Sequence, residues 1–447
     1  MWDWEGKFVD EAVVERLFHT YSDFFSHQRL GKDIFVTFRI PHLNSHTDHR
    51  LGRALLAIKT AAGLSKSVGF HSPPLVEVII PLVESAADML EIHAAYDQLQ
   101  SLNHRVFKFG IHHPLGVIPI FEQIDTLFRA GDILHDYVSG FKALYRTKPK
   151  YIRPFSARSD PALNSGLVPA VIANKVALGK YYQFSAQTGI PTYPIIGPGS
   201  LPFRGHFTPD RITEFFDEYP SVHTAVVQGA FRYDWPIDTV KAAIDNLKLR
   251  RKRAPQVIDA VVAKDICDIF TRAYQSTIEK IAPEINHLSS TLPPRRERVL
   301  HIGLFGYSRE TAGVKLPRAI GFTAALYSLG APPEIIGTGR GLQILQKTGQ
   351  LSKLESWYLN LKTDLRFAMQ YYNPRSVALL AKHNPAWKDV IEDARIIGEY
   401  VSTDDQGTIQ TDHHRINYKI ANSYQDAPQE KITNLVERAA ILRRSLG

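Results

Sequence analysis

Short apolar runs rich in β-branched residues alternate with longer helical stretches between about residue 33 and residue 305. Such alternation is typical of parallel βα units, and many consecutive units predict an α/β fold of the (β/α)8 TIM-barrel type. Seven of the runs have a good strand pattern and an eighth is weaker. In chain order they are 34–39, 76–82, 116–121, 152–157, 193–197, 224–228, 299–305 and the weaker 333–337.

The pattern becomes helical after residue 306, as in PRAIGFTAALYSL and QEKITNLVERAAILRR. We therefore predict two regions: a (β/α) barrel catalytic region over residues 1–310 and a helical C-terminal region over residues 311–447 that packs on the barrel. No internal repeat and no long Gly/Ser linker marks the boundary more closely.

The composition excludes several classes of protein. With 447 residues, of which 44% are hydrophobic and 22% charged, the chain can bury a large core, and this excludes a disordered or fibrous protein. The single cysteine, Cys267, excludes a disulfide scaffold and predicts a reducing compartment, by default the cytoplasm. The sequence has no apolar run of about 18 residues and no apolar start, so we predict neither a membrane span nor a secretory signal.

The net charge of +8 comes from 53 Lys and Arg against 45 Asp and Glu, and it suits nucleic acid or a small anion as a partner. The densest basic run, residues 247–256, follows a helical pattern and is typical of a solvated helix end. No aromatic residues interleave with this run and no nucleic-acid-binding motif accompanies it. We therefore predict no nucleic-acid partner.

Charged residues follow several of the predicted strands, at the end where a barrel carries its active site. Glu122 and Asp160 each follow a different strand. Two carboxylates at a barrel mouth suit Mg2+ or Mn2+, completed by substrate and water. Structural salt bridges to Arg153 or Arg158 would give the same pattern, so the residues alone leave both interpretations open.

Arginines are also concentrated at the strand ends. Several arginines at one mouth indicate a small polyanionic substrate, because a guanidinium group binds phosphate or carboxylate through two hydrogen bonds. One of them lies in GPGSLPFRGH, residues 197–206, which we name the arginine loop. Its glycines would let backbone N–H groups approach an anion, although a simple Gly/Pro turn has the same composition. The arginines are Arg39, Arg158, Arg204, Arg309 and Arg318.

Other motifs are weaker. The glycines of GTGRG, residues 337–341, lack the βαβ context of a dinucleotide site, so we predict no organic cofactor. Two groups of histidines could suggest zinc, but no helix with His at i and i+4 and a third ligand can be assigned, so zinc is not favoured. These histidines are His42, His46, His49, His112 and His113.

Several segments together resemble one enzyme family. ARSDPALNSG, residues 157–166, resembles a metal-binding strand end, and GPGSLPFRGH resembles a mobile catalytic loop, of the phosphoenolpyruvate carboxylases, in particular their short archaeal-type branch. The similarity continues in the family's order over nearly the whole chain. The further segments are WDWEGK, VTFRIP, VIPIFEQIDTL, FGYSRETAGVKLPRAI and LKTDLRFAMQYY.

The resemblance implies a role for each matching position. The implied metal ligands, for Mg2+ or Mn2+, are Glu122 and Asp160. The implied catalytic arginines are Arg204 at the bicarbonate and carboxyphosphate site, and Arg39, Arg309 and Arg318 at the phosphate. Lys362 matches a position linked to aspartate inhibition, although feedback control stays open.

The implied reaction is attack of bicarbonate on the phosphorus of phosphoenolpyruvate, which gives carboxyphosphate and a metal-stabilised enolate of pyruvate. The enolate then captures CO2 and yields oxaloacetate, so the enzyme would be a carbon-carbon lyase in anaplerotic carbon fixation. Its partners would be phosphoenolpyruvate and bicarbonate, and its assembly a homotetramer. The arginine loop would act as a lid, because water would protonate the enolate and waste it as pyruvate.

One segment of the family has no counterpart. Members of this branch carry a stretch of the type STQHPDN before WDWEGK, with a catalytic histidine and the first barrel strand, and we expect that strand to be missing from this sequence. Two explanations compete: this sequence starts downstream of the true start, or the chain is a truncated, inactive relative. Two alternatives to a working carboxylase therefore stay open: a catalytically impaired or regulatory homologue, and another metal-dependent barrel lyase acting on phosphoenolpyruvate or 2-oxo acids.

Overall fold

The computed structural model describes residues 1–447 apart from 5–7, 10, 43–47, 70–71, 108–114, 251–252, 293–300, 303–308, 312–313 and 403–407. Side chains are described for the same residues apart from 8–9, 48, 102–107, 301–302, 309–311 and 408–409.

The strands are short, and most of them form one parallel sheet. In chain order they are β1 (Trp2–Asp3), β2 (Phe8–Val9), β3 (Phe38–Arg39), β4 (Glu77–Ile80), β5 (Gly116–Phe121), β6 (Phe155–Ala157), β7 (Ile195–Gly197), β8 (Thr224–Ala225), β9 (His301–Ile302), β10 (Arg309–Thr311) and β11 (Val314–Leu316). The sheet has the order β1-β3-β4-β5-β6-β7-β8. Two antiparallel pairs, β2 with β9 and β10 with β11, lie outside it.

Helices connect the strands and make up most of the C-terminal part. They are α1 (Val13–Thr20), α2 (Ser22–His27), α3 (Asp48–Ser67), α4 (Ala86–Phe107), α5 (Ile124–Tyr145), α6 (Ser159–Ser165), α7 (Leu167–Thr188), α8 (Ile212–Glu218), α9 (Gly229–Tyr233), α10 (Ile237–Leu249), α11 (Ala260–Ser290), α12 (Ala319–Leu329), α13 (Thr338–Lys347), α14 (Leu351–Trp357), α15 (Leu361–Tyr371), α16 (Pro374–His383), α17 (Trp387–Val401), α18 (Thr408–Ser423) and α19 (Gln429–Leu442). A 3-10 helix, Pro202–Arg204, lies within the arginine loop.

The α/β class is confirmed, and the sheet is consistent with a TIM-like fold. Six predicted strands lie in the sheet, each at or inside its predicted bounds. One strand prediction is wrong, because residues 333–337 form a turn. In the run at 299–305 the described residues, His301–Ile302, do form a strand, but it pairs antiparallel with β2 outside the sheet, and the rest of the run lies outside the described residues. The seventh strand is instead β1, and over the described residues the sheet is not a closed eight-stranded barrel.

Side chains along β5 alternate between two apolar clusters. Val117 and Phe121 belong to the main core, which includes the surrounding helices. Ile118 and Ile120 belong to a second cluster formed by residues of β4 to β7. Because successive side chains of a strand point to opposite faces, this pattern means that both faces of the sheet are buried, as in a barrel with helices outside.

The long helix α11 joins the βα units to the C-terminal helices. It packs against α6 and α7 and also against α12, α13 and α17. Its start is fixed by Asp259, whose side chain accepts hydrogen bonds from Val261 N and Val262 N. α7 is buried on most of its surface because it lies between α5 and α11. The division into regions at residue 310 stays a prediction.

The glycines of GTGRG allow close helix packing. Gly337 has a φ of 73°, and a Cβ atom there would lie 2.4 Å from Tyr274 N. A Cβ atom on Gly339 would lie 2.3 Å from Asp393 O. The segment therefore brings α13 against α11 and α17, for which glycine is required by space and backbone conformation.

The basic run does follow a helix end, since α10 ends at Leu249. Arg250 lies over the Phe216 ring at 3.5 Å from its centroid, and Arg253 pairs with Asp217.

None of the described helices has the length and apolar character of a membrane span.

Candidate active site

Glu122 and Asp160 lie after neighbouring strands of the sheet. Glu122 directly follows β5, and Asp160 lies in the first turn of α6 after β6, which pairs with β5. The Asn164 side chain donates a hydrogen bond of 3.1 Å to Gln123 Oε1 and so ties α6 to the segment after β5. Glu122 is only 3% exposed, and Asp160 is half-buried. The structure thus brings both carboxylates to the same edge of the sheet; their role as metal ligands stays a prediction.

The two arginines that could have formed salt bridges here have other partners. Arg153 pairs with Glu77. Arg158, which is 1% exposed, donates to the carbonyl oxygens of Phe203 (3.2 Å) and Pro202 (3.4 Å). Its position after β6 suggested anion binding, whereas these contacts give it a structural role in holding the arginine loop.

Arg204 lies across the ends of three strands. Its Nε donates to Ser159 Oγ at 3.1 Å, next to Asp160 in the chain. Its Nη2 donates to Gln228 Oε1, beyond β8, at 2.8 Å, and its Nη1 donates to Gly447 O at 2.5 Å. The side chain is buried, with 5% exposure. The structure therefore brings Arg204 to the part of the sheet edge where Asp160 lies.

Two glycines shape the arginine loop around this side chain. A Cβ atom on Gly199 would lie 2.8 Å from Arg204 Cβ and 2.9 Å from Arg204 Cζ. Gly205 has a φ of 124°, a conformation that other residues rarely adopt. Backbone hydrogen bonds from Gly199 N to Arg204 O (2.7 Å) and from Arg204 N to Leu201 O (2.9 Å) close the turn. The glycines thus make room for the arginine and let the chain return.

The arginine loop is docked on the C-terminal helical region, and its action as a lid, implied by the resemblance, stays a prediction. Sequence reasoning missed Glu334 and Asp364 as partners of the loop, because they lie more than 100 residues away and no local pattern marks them. Four hydrogen bonds join the loop to this region: Ser200 Oγ with Ser445 Oγ (2.8 Å), Phe203 N to Glu334 Oε1 (2.8 Å), Arg204 Nη1 to Gly447 O (2.5 Å) and His206 Nδ1 with Asp364 Oδ1 (2.5 Å).

Arg39 is the last residue of β3, which lies between β1 and β4 in the sheet, and its side chain is held by an aspartate. Its Nε and Nη2 donate to the two carboxylate oxygens of Asp3 at 2.9 Å and 2.8 Å. Asp3 lies in β1, the strand missed from the sequence, and its side chain is 4% exposed. This two-pronged pair fixes the guanidinium group at the strand end.

The remaining predicted residues lie in the C-terminal half. Arg309 pairs with Leu316 in the β10–β11 hairpin, and its side chain lies outside the described residues. Arg318 follows the hairpin, is half-buried and occupies the N-cap position of α12 without a capping hydrogen bond from its side chain. Lys362, on α15, pairs with Glu355 at 2.9 Å. The hairpin pairs Arg309 with Leu316, which lies two residues before Arg318 in the chain. The contacts of both arginines with phosphate stay predictions.

Two buried glutamates lie behind the arginine loop. Burial raises the pKa of Glu218, although Lys175 Nζ lies 2.6 Å from Glu218 Oε1. Burial also raises the pKa of Glu334 to about 7, against the hydrogen bond that Phe203 N–H donates to it. Both side chains are almost fully buried under the loop, with exposures of 2% for Glu218 and 0% for Glu334.

The histidines do not form a metal cluster in the parts of the chain that the structure describes. Across those parts no group of three or more His, Cys, Asp or Glu is arranged to hold a metal ion. His42 Nε2 lies 3.4 Å from Asp88 Oδ1, and His49 is exposed. His46, His112 and His113 lie outside the described residues.

Known proteins resemble the chain over most or all of its length. A family model described as "Phosphoenolpyruvate carboxylase" matches residues 1–447. A phosphoenolpyruvate carboxylase of Leuconostoc mesenteroides is 34% identical, over 100% of this chain and 90% of the relative. Enzymes of the same name from Pyrococcus horikoshii and Caldivirga maquilingensis are 37% and 40% identical over 83% of this chain, and over 79% and 74% of their own lengths.

Proposed function

The chain belongs to the phosphoenolpyruvate carboxylase family, and we propose that it carboxylates phosphoenolpyruvate with bicarbonate to oxaloacetate and phosphate. One observation supports this most: two carboxylates follow neighbouring strands, and a buried arginine is bonded to Ser159, the residue beside one of them. Such a site suits a phosphorylated carboxylic acid, because the arginine can bind an anionic group and the carboxylates would hold a divalent cation that neutralises further negative charge.

The reaction proceeds by two bond exchanges. A bicarbonate oxygen attacks the phosphorus of phosphoenolpyruvate, and the bond between phosphorus and the enol oxygen breaks. Carboxyphosphate and the enolate of pyruvate result. Carboxyphosphate then splits into CO2 and phosphate, and the third carbon of the enolate attacks CO2 to form oxaloacetate. The sum is phosphoenolpyruvate plus bicarbonate giving oxaloacetate plus phosphate.

Glu122 and Asp160 are the residues that would hold Mg2+ or Mn2+. The fit rests on their chemistry and placement: both are carboxylates, which these hard cations prefer, and they follow neighbouring strands at one edge of the sheet. A bound ion would supply positive charge for the enol oxygen as the phosphoryl group leaves. The two carboxylates leave other positions of such an ion to substrate and water.

Arg204 is proposed to bind bicarbonate and carboxyphosphate. Its guanidinium group is fixed by Ser159 and Gln228, so its orientation toward the strand ends is set before substrate binds. The buried loop around it would keep water away from the enolate. This exclusion of water matters because an enolate that is protonated gives pyruvate and is lost for carboxylation. Arg39, Arg309 and Arg318 are proposed to bind phosphate, by resemblance. A lid motion of the loop is part of this proposal.

Assembly as a homotetramer in the cytoplasm is proposed on the same family resemblance. Sedimentation velocity of the purified chain tests the assembly: a single species of four subunits is expected, and a monomer would contradict it.

Asp160→Asn tests the metal site. The variant keeps the shape of the side chain and removes its charge, so we expect metal-dependent turnover to be lost while the fold is kept. Asp125→Asn is the matched control, because Asp125 also lies in the first turn of a helix after a strand but its side chain is 75% exposed. Undiminished turnover in Asp160→Asn would remove this residue from the metal site.

Arg204→Ser tests the bicarbonate site. We expect oxaloacetate formation to be lost and some phosphoenolpyruvate to be hydrolysed to pyruvate, because the enolate forms without a captured CO2. Unchanged oxaloacetate formation would refute the role of Arg204.

The two alternatives predict different outcomes for the wild-type chain. A catalytically impaired or regulatory homologue would bind phosphoenolpyruvate without turnover. Another metal-dependent lyase would act on phosphoenolpyruvate or a 2-oxo acid with no requirement for bicarbonate.

A further inference from the structure

Glu334 lies beneath the arginine loop, in the turn between α12 and α13. It is 0% exposed. Its Oε1 accepts two hydrogen bonds, from Phe203 N at 2.8 Å and from Tyr327 Oη at 2.9 Å. Phe203 directly precedes Arg204, so this carboxyl group accepts a hydrogen bond from the backbone next to the arginine.

The peptide groups around Phe203 are fixed from both sides. Glu334 accepts from its N–H, and the buried guanidinium group of Arg158 donates to its carbonyl oxygen at 3.2 Å. Its ring stacks on Phe322 with the centroids 5.7 Å apart. The ring of Tyr274 lies on it at 6.3 Å. Phe203 is therefore an anchor whose backbone sets where the Arg204 side chain begins.

A fully buried carboxyl group is a costly acceptor for these two hydrogen bonds. Burial raises the pKa of Glu334 to about 7, and its second oxygen, Oε2, is buried with no described hydrogen-bond partner. An apolar residue there would avoid this cost but would leave Phe203 N without an acceptor in a dry environment. The hydrogen bond to the loop is thus the contact that a glutamate provides and an apolar residue of the same size does not.

We propose that Glu334 is a positioning residue for Arg204, acting through its hydrogen bond to the backbone of Phe203. It holds the 3-10 helix of the arginine loop down on α12, and so keeps the Arg204 guanidinium group over the strand ends and water out of the mouth. The inference rests on the carboxylase function proposed above. A displacement of Arg204 by about 1 Å is enough to lower catalysis on the order of 100-fold.

Three variants separate positioning from general stability. Glu334→Leu removes the acceptor and keeps the volume. Glu334→Gln keeps an oxygen that accepts from both Phe203 and Tyr327. Tyr327→Phe is the matched control, because it removes the other hydrogen bond of Glu334 and leaves the bond to the loop.

The readout is the ratio of pyruvate to oxaloacetate formed from phosphoenolpyruvate, with lactate dehydrogenase and malate dehydrogenase used in separate coupled assays. For Glu334→Leu we expect oxaloacetate formation to fall by about tenfold or more, and the ratio to rise. Glu334→Gln and Tyr327→Phe should keep the wild-type ratio. An unchanged ratio in Glu334→Leu would overturn the proposal, because a merely structural loss lowers the amount of active enzyme without changing its products.

Hydrogen exchange separates a failure of this inference from a failure of the proposed function. Exchange of the Phe203 amide is measured in the same variants without substrate. Faster exchange in Glu334→Leu but not in Glu334→Gln supports the positioning role even if the wild-type chain proves to have no turnover. Equal exchange in all variants overturns it.

Discussion

Replacing Glu334 by glutamine should remove a pH dependence from the stability of the fold. Burial raises the pKa of this carboxyl group from 4.5 to about 7. The negative charge of Asp364 adds to the rise, while hydrogen bonds from Phe203 N–H and Tyr327 O–H oppose it. At about 1.4 kcal/mol for each tenfold change in acid dissociation, the rise corresponds to roughly 3 kcal/mol.

The direction in which the unfolding free energy changes with pH follows from the number of protons that the folded and the unfolded chain bind. Below about pH 4.5 the carboxyl group is protonated in the folded and the unfolded chain, so the full stability is present. Between about pH 4.5 and 7 the unfolded chain releases the proton and the folded chain keeps it, so the free energy of unfolding falls as pH rises. Above about pH 7 the loss is complete. Glutamine does not titrate and shows none of this loss.

The assay is urea unfolding of wild type and Glu334→Gln at several pH values from 5 to 8, followed by tryptophan fluorescence. The difference in unfolding free energy should grow in favour of the variant as pH rises, by roughly 3 kcal/mol at most. Glu437→Gln, at an exposed position on α19, should run parallel to wild type. Parallel curves for wild type and Glu334→Gln would refute the reasoning, because they would mean that Glu334 keeps an ordinary pKa in the fold.

Two further changes test other parts of the account. Gly199→Ala should push the Arg204 side chain away and lower oxaloacetate formation on the order of 100-fold, with the circular dichroism spectrum unchanged. The control, Gly52→Ala, should have near wild-type activity, because a Cβ atom at position 52 meets nothing within 4 Å. Equal activities of the two variants would contradict the close contact between Gly199 and Arg204. Lys175→Met should leave the buried Glu218 charge unpaired and cost about 3–5 kcal/mol of unfolding free energy in urea, and a loss under 1 kcal/mol would show that the pair is not buried in solution.

The sequence allowed most of the sheet to be predicted because parallel strands buried on both faces require apolar, β-branched runs. The run at 116–121 is such a strand, and β5 has the same bounds. β1 could not be found this way, since Trp2–Asp3 does not lie in an apolar, β-branched run. The run at 299–305 has the right composition, but composition does not specify a partner, and His301–Ile302 pairs with β2.

In the candidate site, too, sequence patterns predicted the residues at strand ends but not the long-range contacts that hold them. The carboxyl ends of parallel strands share one edge of the sheet, so the residues following the strands, Glu122 and Asp160, could be singled out without coordinates. Residues that hold the arginine loop could not. Glu334 lies 131 positions from Phe203 in the chain, and the apolar run at 333–337 around it gives no sign of a contact with the arginine loop. Contacts of this range depend on how α12 and α13 pack, which no local pattern records.

The most direct test of the account is oxaloacetate formation by the purified 447-residue chain. The protein is given phosphoenolpyruvate, bicarbonate and Mg2+, and oxaloacetate is followed through the malate dehydrogenase-coupled loss of NADH. We predict turnover that requires both bicarbonate and the metal and that Arg204→Ser abolishes. A folded chain that forms no oxaloacetate under these conditions would contradict the proposed function.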